Sequence, residues 1–130
     1  MEDKRSSTYK RDTNTLGGVL MSSNNLIIDK LQDLFSELSL VLVANRREDI
    51  DYHISEIKYV VKILNECQKN NYTDSNNVIN EIKSIYKNLY PARGGLSDFF
   101  IWKADFDERV KANEPLDRIG DELWKILKEN

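Results

Sequence analysis

The sequence predicts an all-α protein: three long helices, a Gly-Gly turn at residues 91–98, and a C-terminal helical pair that closes the bundle. Three observations carry that prediction. Apolar residues recur in steps of four and three along successive segments, the spacing that lines one face of a helix. Polar breaks containing capping residues separate those segments. The bulk composition agrees, because 130 residues with 40% hydrophobic and 32% charged content suit one soluble globular unit.

Residues 1–22 are polar and of mixed charge, with Gly17-Gly18 and little apolar content beyond Val19-Leu20-Met21. Such a segment buries too little surface to offset the entropy of ordering it, so a flexible tail is expected. Met21 is an alternative start. The helical domain is expected over 23–130.

The first helix is predicted from Ser23-Asn24 to about Arg46, on Ile27, Leu31, Leu34, Leu38 and Val41, with Ile28, Phe35 and Leu42 widening the stripe. From Leu38 to Ala44 it turns apolar nearly all round. That end is either buried by several neighbours or a partner-binding or dimer seam carried by Leu40 and Val43. Arg46 and Arg47 follow, where cations favour a helix C-terminus. A second helix is predicted over about 50–69 on Ile50, Ile54, Ile57, Val61 and Leu64, with Val60, Cys67 and His53 beside them. A third runs from about Ser75 to Tyr90 on Val78, Ile82, Ile85 and Leu89, flanked by Ile79 and Tyr86. Thr73 and Asp74 are the candidate caps of that helix, and Pro91 ends it.

Beyond the turn, Asp105–Ala112 reads as a short helix with acids in its first turn. Pro115 then fits the first position of a last helix reaching about Lys128. That helix directs Leu116, Ile119, Leu123, Ile126 and Leu127 inward, with Trp124 beside them. Gly120 in its interior costs up to ~1 kcal/mol against Ala, which points to close approach by another helix.

The stretch Tyr90–Trp102 stands apart from this helical text. Gly94-Gly95 allows a tight turn with positive φ. Ser97 and Asp98 are suited to satisfy the backbone groups that follow. Phe99, Phe100, Ile101 and Trp102 are expected to plug the turn into the bundle, as helix or as extended chain. Arg93, Ser97 and Asp98 form the one surface in this stretch that invites a partner or a small ligand.

Chemistry is hard to assemble from the remaining residues, and no catalytic residue is assigned. Cys67 is the sole cysteine and His53 the sole histidine, so neither a disulfide framework nor a His/Cys metal site is expected. Asp105, Asp107 and Glu108 sit along one helical turn and point apart, as a solvated helix start does. The glycines lack the spacing of a phosphate loop, and no cofactor is implied. A net charge of −3 and the lack of a basic stripe among the tyrosines and tryptophans argue against nucleic acid. No apolar run spans a bilayer and the N-terminus has no signal core, so a cytoplasmic protein without membrane partners is expected.

Leu89-Tyr90-Pro91-Ala92-Arg93-Gly94-Gly95-Leu96-Ser97-Asp98 resembles a turn shared by a group of small uncharacterised bacterial helical proteins. There a helix ends in Leu-Tyr, a Gly-containing turn follows, and a Ser/Asn-Asp step enters apolar residues. The resemblance extends over residues 50–128 at most. Here Pro91-Ala92-Arg93 precedes the glycines and Leu96 replaces the Met-Gly of the commonest form. The resemblance implies no activity or catalytic residue. It associates the chain with immunity-type or antitoxin-type partners of bacterial toxins.

The leading expectation is therefore a non-enzymatic, protein-binding bacterial protein. The alternatives are a small-ligand binder or enzyme built on Arg93, Ser97 and Asp98, and a structural homo-oligomer joined through the first helix.

Overall fold

The computed structural model describes residues 23–128. The tail expected over 1–22 and the alternative start at Met21 lie outside the described residues. The chain forms α1 (Ser23–Ala44), α2 (Asp51–Lys69), α3 (Ser75–Leu89) and α4 (Phe106–Leu123). Short 3-10 turns cover Glu48–Ile50 and Gly95–Ser97, and a π-helical turn covers Trp124–Lys128. The all-α bundle is as the sequence predicts, and no strand occurs among the described residues.

Side-chain bonds between the helices show their relative directions. Gln32 Nε2 donates to Asn65 Oδ1 and Gln68 Nε2 to Asp29 Oδ1, so α2 runs antiparallel to α1. Lys30 pairs with Glu122, and Arg118 forms a bidentate pair with Glu37, so α4 is antiparallel to α1 as well. The Tyr59 hydroxyl donates to Glu81 at 2.6 Å and joins α2 to α3. Helix α1 packs against the other three helices, with Ile28, Leu31, Phe35, Leu38 and Leu42 fully buried.

The buried stripe is rotated slightly from the one expected in each of the first three helices. Leu42 rather than Val41, Val60 rather than Val61, and Tyr86 rather than Ile85 reach the interior. A stripe more than 100° wide leaves its own centre open, and the position of the neighbouring helices decides it. The apolar end of α1 is covered on one side only. Leu38 and Leu42 are buried, whereas Leu40 is 73% and Val43 46% exposed.

Both corners depart in detail from the expected caps. Arg46 and Arg47 bond the carboxylates of Asp51 and Asp49 rather than the end of α1. Asp74 occupies the N-cap position of α3 in a left-handed conformation, with no side-chain cap bond. Asn71 and Tyr72 also have positive φ in this tight α2–α3 connection. It is held by Tyr72, whose N–H donates to Cys67 O and whose hydroxyl donates to Asp29. Burial, and then that bond to Asp29, push the Tyr72 phenol well above its ordinary range.

The expected C-terminal pair is a single helix, because α4 continues through Pro115. Proline removes one backbone donor, and position 115 tolerates the loss inside the helix. The Asn113 side chain, read from sequence as part of a break, donates from Nδ2 to Arg109 O and braces that turn. Gly120 is also corrected: a Cβ there would meet nothing within 4 Å, so no helix approaches it closely.

Candidate functional site

The turn after α3 is built from its own side chains. Gly94 and Gly95 have φ of +78° and +56°. A Cβ on Gly95 would lie 2.8 Å from the Leu89 carbonyl oxygen and 3.0 Å from Pro91 Cδ, so glycine is required there. The Gly94 N–H donates to Asp98 Oδ2 at 2.6 Å, and the Ser97 hydroxyl donates to Pro91 O at 2.5 Å. Leu96 is buried under the turn.

Of the three candidate residues here, Ser97 and Asp98 thus satisfy backbone groups, and Arg93 is an exposed side chain. Ser97 lines a cavity against α4, but Arg93 and Asp98 do not. The three side chains do not converge on one site. His53 packs beneath this turn with Nδ1 buried and without a hydrogen-bond partner among the described residues, its ring edge-on to Tyr52 at 5.6 Å. Cys67 is buried and its thiol is pushed up by that burial, the reverse of an activated nucleophile. Among the described residues, no group of three or more His, Cys, Asp or Glu side chains is placed to hold a metal.

The expected aromatic plug is turned outward. Ile101 is the residue that enters the interior, and Phe99 is half-buried under the Arg47 guanidinium, 4.6 Å from its ring centroid. Phe100 is 46% and Trp102 66% exposed. The segment is neither helix nor strand. Alternation along an extended chain sends neighbours to opposite sides, so one residue in the run goes in and the next out.

This outward face gathers several exposed apolar side chains. The Phe100 and Trp102 rings meet edge to face at 6.3 Å. The Arg109 guanidinium lies 4.4 Å over Trp102 and 5.6 Å from the Phe106 ring centre. Phe106 is 66% exposed, and Val110 lies one turn further along α4. A strip of three aromatics, an aliphatic residue and a stacked arginine has the composition that dominates the energetic centres of protein interfaces.

The strip rests on rigid supports. Arg47 Nη1 donates to Phe100 O and ties it to the α1–α2 corner. Asp105 caps α4 by accepting from Glu108 N–H at 3.0 Å, which fixes the turn carrying Phe106. Asn113 holds the main chain of Ile101 between Phe100 and Trp102. Sequence reasoning identified the aromatic run but assigned it to the interior. The sign of each side chain depends on the register of Ile101 against α4, which periodicity over four residues does not specify.

No known family, curated protein or solved structure matches this chain, so the functional reading rests on its fold and surface. No helix among the described residues is long and apolar enough to cross a membrane.

Proposed function

We propose that this chain is a non-enzymatic, protein-binding bacterial protein, an immunity-type or antitoxin-type partner of a toxin, acting in the cytoplasm. The observation that carries the reading is the exposed strip of Phe100, Trp102, Phe106 and Val110 under Arg109. Burying such a strip against a partner removes large apolar area from water while Arg109 retains its cation–π contacts. Because Asn113, Asp105 and Arg47 already order it, little entropy is lost on docking. The acidic balance, a net charge of −3, is compatible with a basic partner.

The test is co-purification of the full chain with the product of the neighbouring gene, for wild type and for Trp102→Ser/Phe106→Ser. A retained toxin-like protein that is lost from the double variant supports the reading. Failure of wild type to retain a protein, or equal retention by both, overturns it.

The exposed Leu40 and Val43 favour a second reading, self-association through α1. The enzymatic alternative on Arg93, Ser97 and Asp98 draws no support from Ser97 and Asp98, whose side chains are committed to the turn's own backbone.

A further inference from the structure

Trp124 begins the π-helical turn and lines two cavities. The first, about 580 Å³, lies between the end of α3, the 95–99 segment and α4. The second, about 620 Å³, opens between α3 and the π turn. Tyr86 and Tyr90, stacked at 5.2 Å, line both. Neither cavity is lined by a residue of the exposed strip around Trp102.

We propose that the first cavity binds an organic cation, a guanidinium or alkylammonium group carried on an apolar body. Four aromatic residues, Tyr86, Tyr90, Phe99 and Trp124, are among those lining it, and aromatic rings attract cations through their negative faces. Asp117 and Asp121 supply the formal countercharge at its rim.

The charges of α4 divide by face. Glu114, Arg118 and Glu122 follow at steps of four and engage in salt bridges, the last two with α1. Asp117 and Asp121, also four apart, face the cavity, and neither forms a salt bridge with a described residue. Like charges at that spacing disfavour a helix unless a cation sits between them.

Gly120 lies between these aspartates in sequence and lines the same cavity. Nothing in the packing of the described residues requires a glycine, since a Cβ there would meet none of them within 4 Å. Its missing side chain keeps the cavity floor clear for a guest. The π turn adds to the case, because single π turns recur at functional sites. Lys87 and Lys128 line the second cavity, so the cation belongs at the aspartate end.

The test is an amide NMR titration of the full-length chain with benzyltrimethylammonium, beside benzyl alcohol and benzenesulfonate. Saturable shifts at the Gly120 amide and the Trp124 indole are expected with the cation, at least about tenfold weaker with the neutral probe. Asp117→Asn/Asp121→Asn, at exposed positions that leave folding intact, is expected to weaken cation binding about tenfold. Gly120→Leu is expected to abolish it, and Gly120→Ala keeps the fold if the bulkier variant does not. A blocked arginine amide identifies the source: tighter binding than benzyltrimethylammonium indicates a protein side chain, and weaker binding a free organic cation. Equal binding of the neutral probe, preference for the sulfonate, or indifference to the aspartate substitutions overturns the proposal. Absence of saturable shifts with either cation up to about 50 mM also does so.

Discussion

The side chain of Asn113 pairs with the main chain of Ile101 as a neighbouring strand would. Ile101 N–H donates to Oδ1 and Nδ2 donates to Ile101 O, both at 2.8 Å. The same Nδ2 also reaches Arg109 O at 2.9 Å. One carboxamide therefore joins α4 to the extended segment that displays Phe100 and Trp102.

Asn113→Ala leaves the Ile101 peptide groups short of partners in a half-buried setting, and a loss of about 2 kcal/mol is expected. Urea unfolding measures it. In a Trp124→Phe background, which leaves Trp102 as the single tryptophan, the variant is also expected to show a more mobile Trp102 by fluorescence anisotropy. A stability change below about 0.5 kcal/mol would mean that water replaces the carboxamide at no cost.

Gly95 and Gly120 are expected to respond in opposite directions to alanine. Gly95→Ala places a methyl 2.8 Å from the Leu89 carbonyl oxygen at φ +56°, and destabilisation of about 2 kcal/mol or more follows. Gly120→Ala adds a methyl in open space within α4 and is expected to stabilise by up to about 1 kcal/mol. Paired thermal melts compare the two directly.

Glu37 makes one contribution to stability pH-dependent. The hydrogen bond from Arg118 holds its carboxyl below the ordinary value of 4.5, against a smaller opposing effect of burial. A carboxyl lowered by folding adds stability that is complete above its unfolded value and vanishes as pH falls through the folded one. Both side chains are more than a third exposed, so solvent screening limits the effect to about 0.5 kcal/mol. Wild type is expected to exceed Glu37→Gln by that amount at pH 7 and to converge with it as pH falls below the lowered value that Glu37 has in the folded protein. A gap that persists at low pH would rule out the ion pair as its source.

Leu40 decides between a heteromeric and a self-associating chain. Under the proposed function, sedimentation gives a monomer mass for wild type and for Leu40→Glu, since Leu40 is 73% exposed and contributes nothing to the core. A wild-type dimer converted to monomer by Leu40→Glu would instead establish α1 as a seam between copies.

The helices were legible because their causes are local. Four-three apolar spacing and Pro91 at the end of α3 each act within a few residues. The Gly94-Gly95 turn, with Ser97 and Asp98 serving its backbone, is likewise a short-range construction. Leu40 and Val43 were also open to inspection, as apolar residues on the wrong side of an otherwise regular stripe.

The candidate strip was not legible in the same way. Asn113 and Pro115 look like a helix break until the Asn113 carboxamide is placed on Arg109 and Ile101. Phe100 and Trp102 look like core residues until Ile101 takes the interior position and leaves them outside. Gly120 looks like a helix-crossing point until the space beside it proves to be a cavity.

The sequence by itself determined an all-α protein, its first three helices and the glycine turn, because hydrophobic periodicity and backbone sterics are written in neighbouring residues. Tertiary structure alone decided that α4 runs through Pro115, that Ile101 rather than Trp102 anchors its segment, and that Asp117, Gly120 and Trp124 border one cavity with Tyr86. Those outcomes depend on pairings between residues distant in sequence, and the packing of α3 and α4 around α1 is what brings them together.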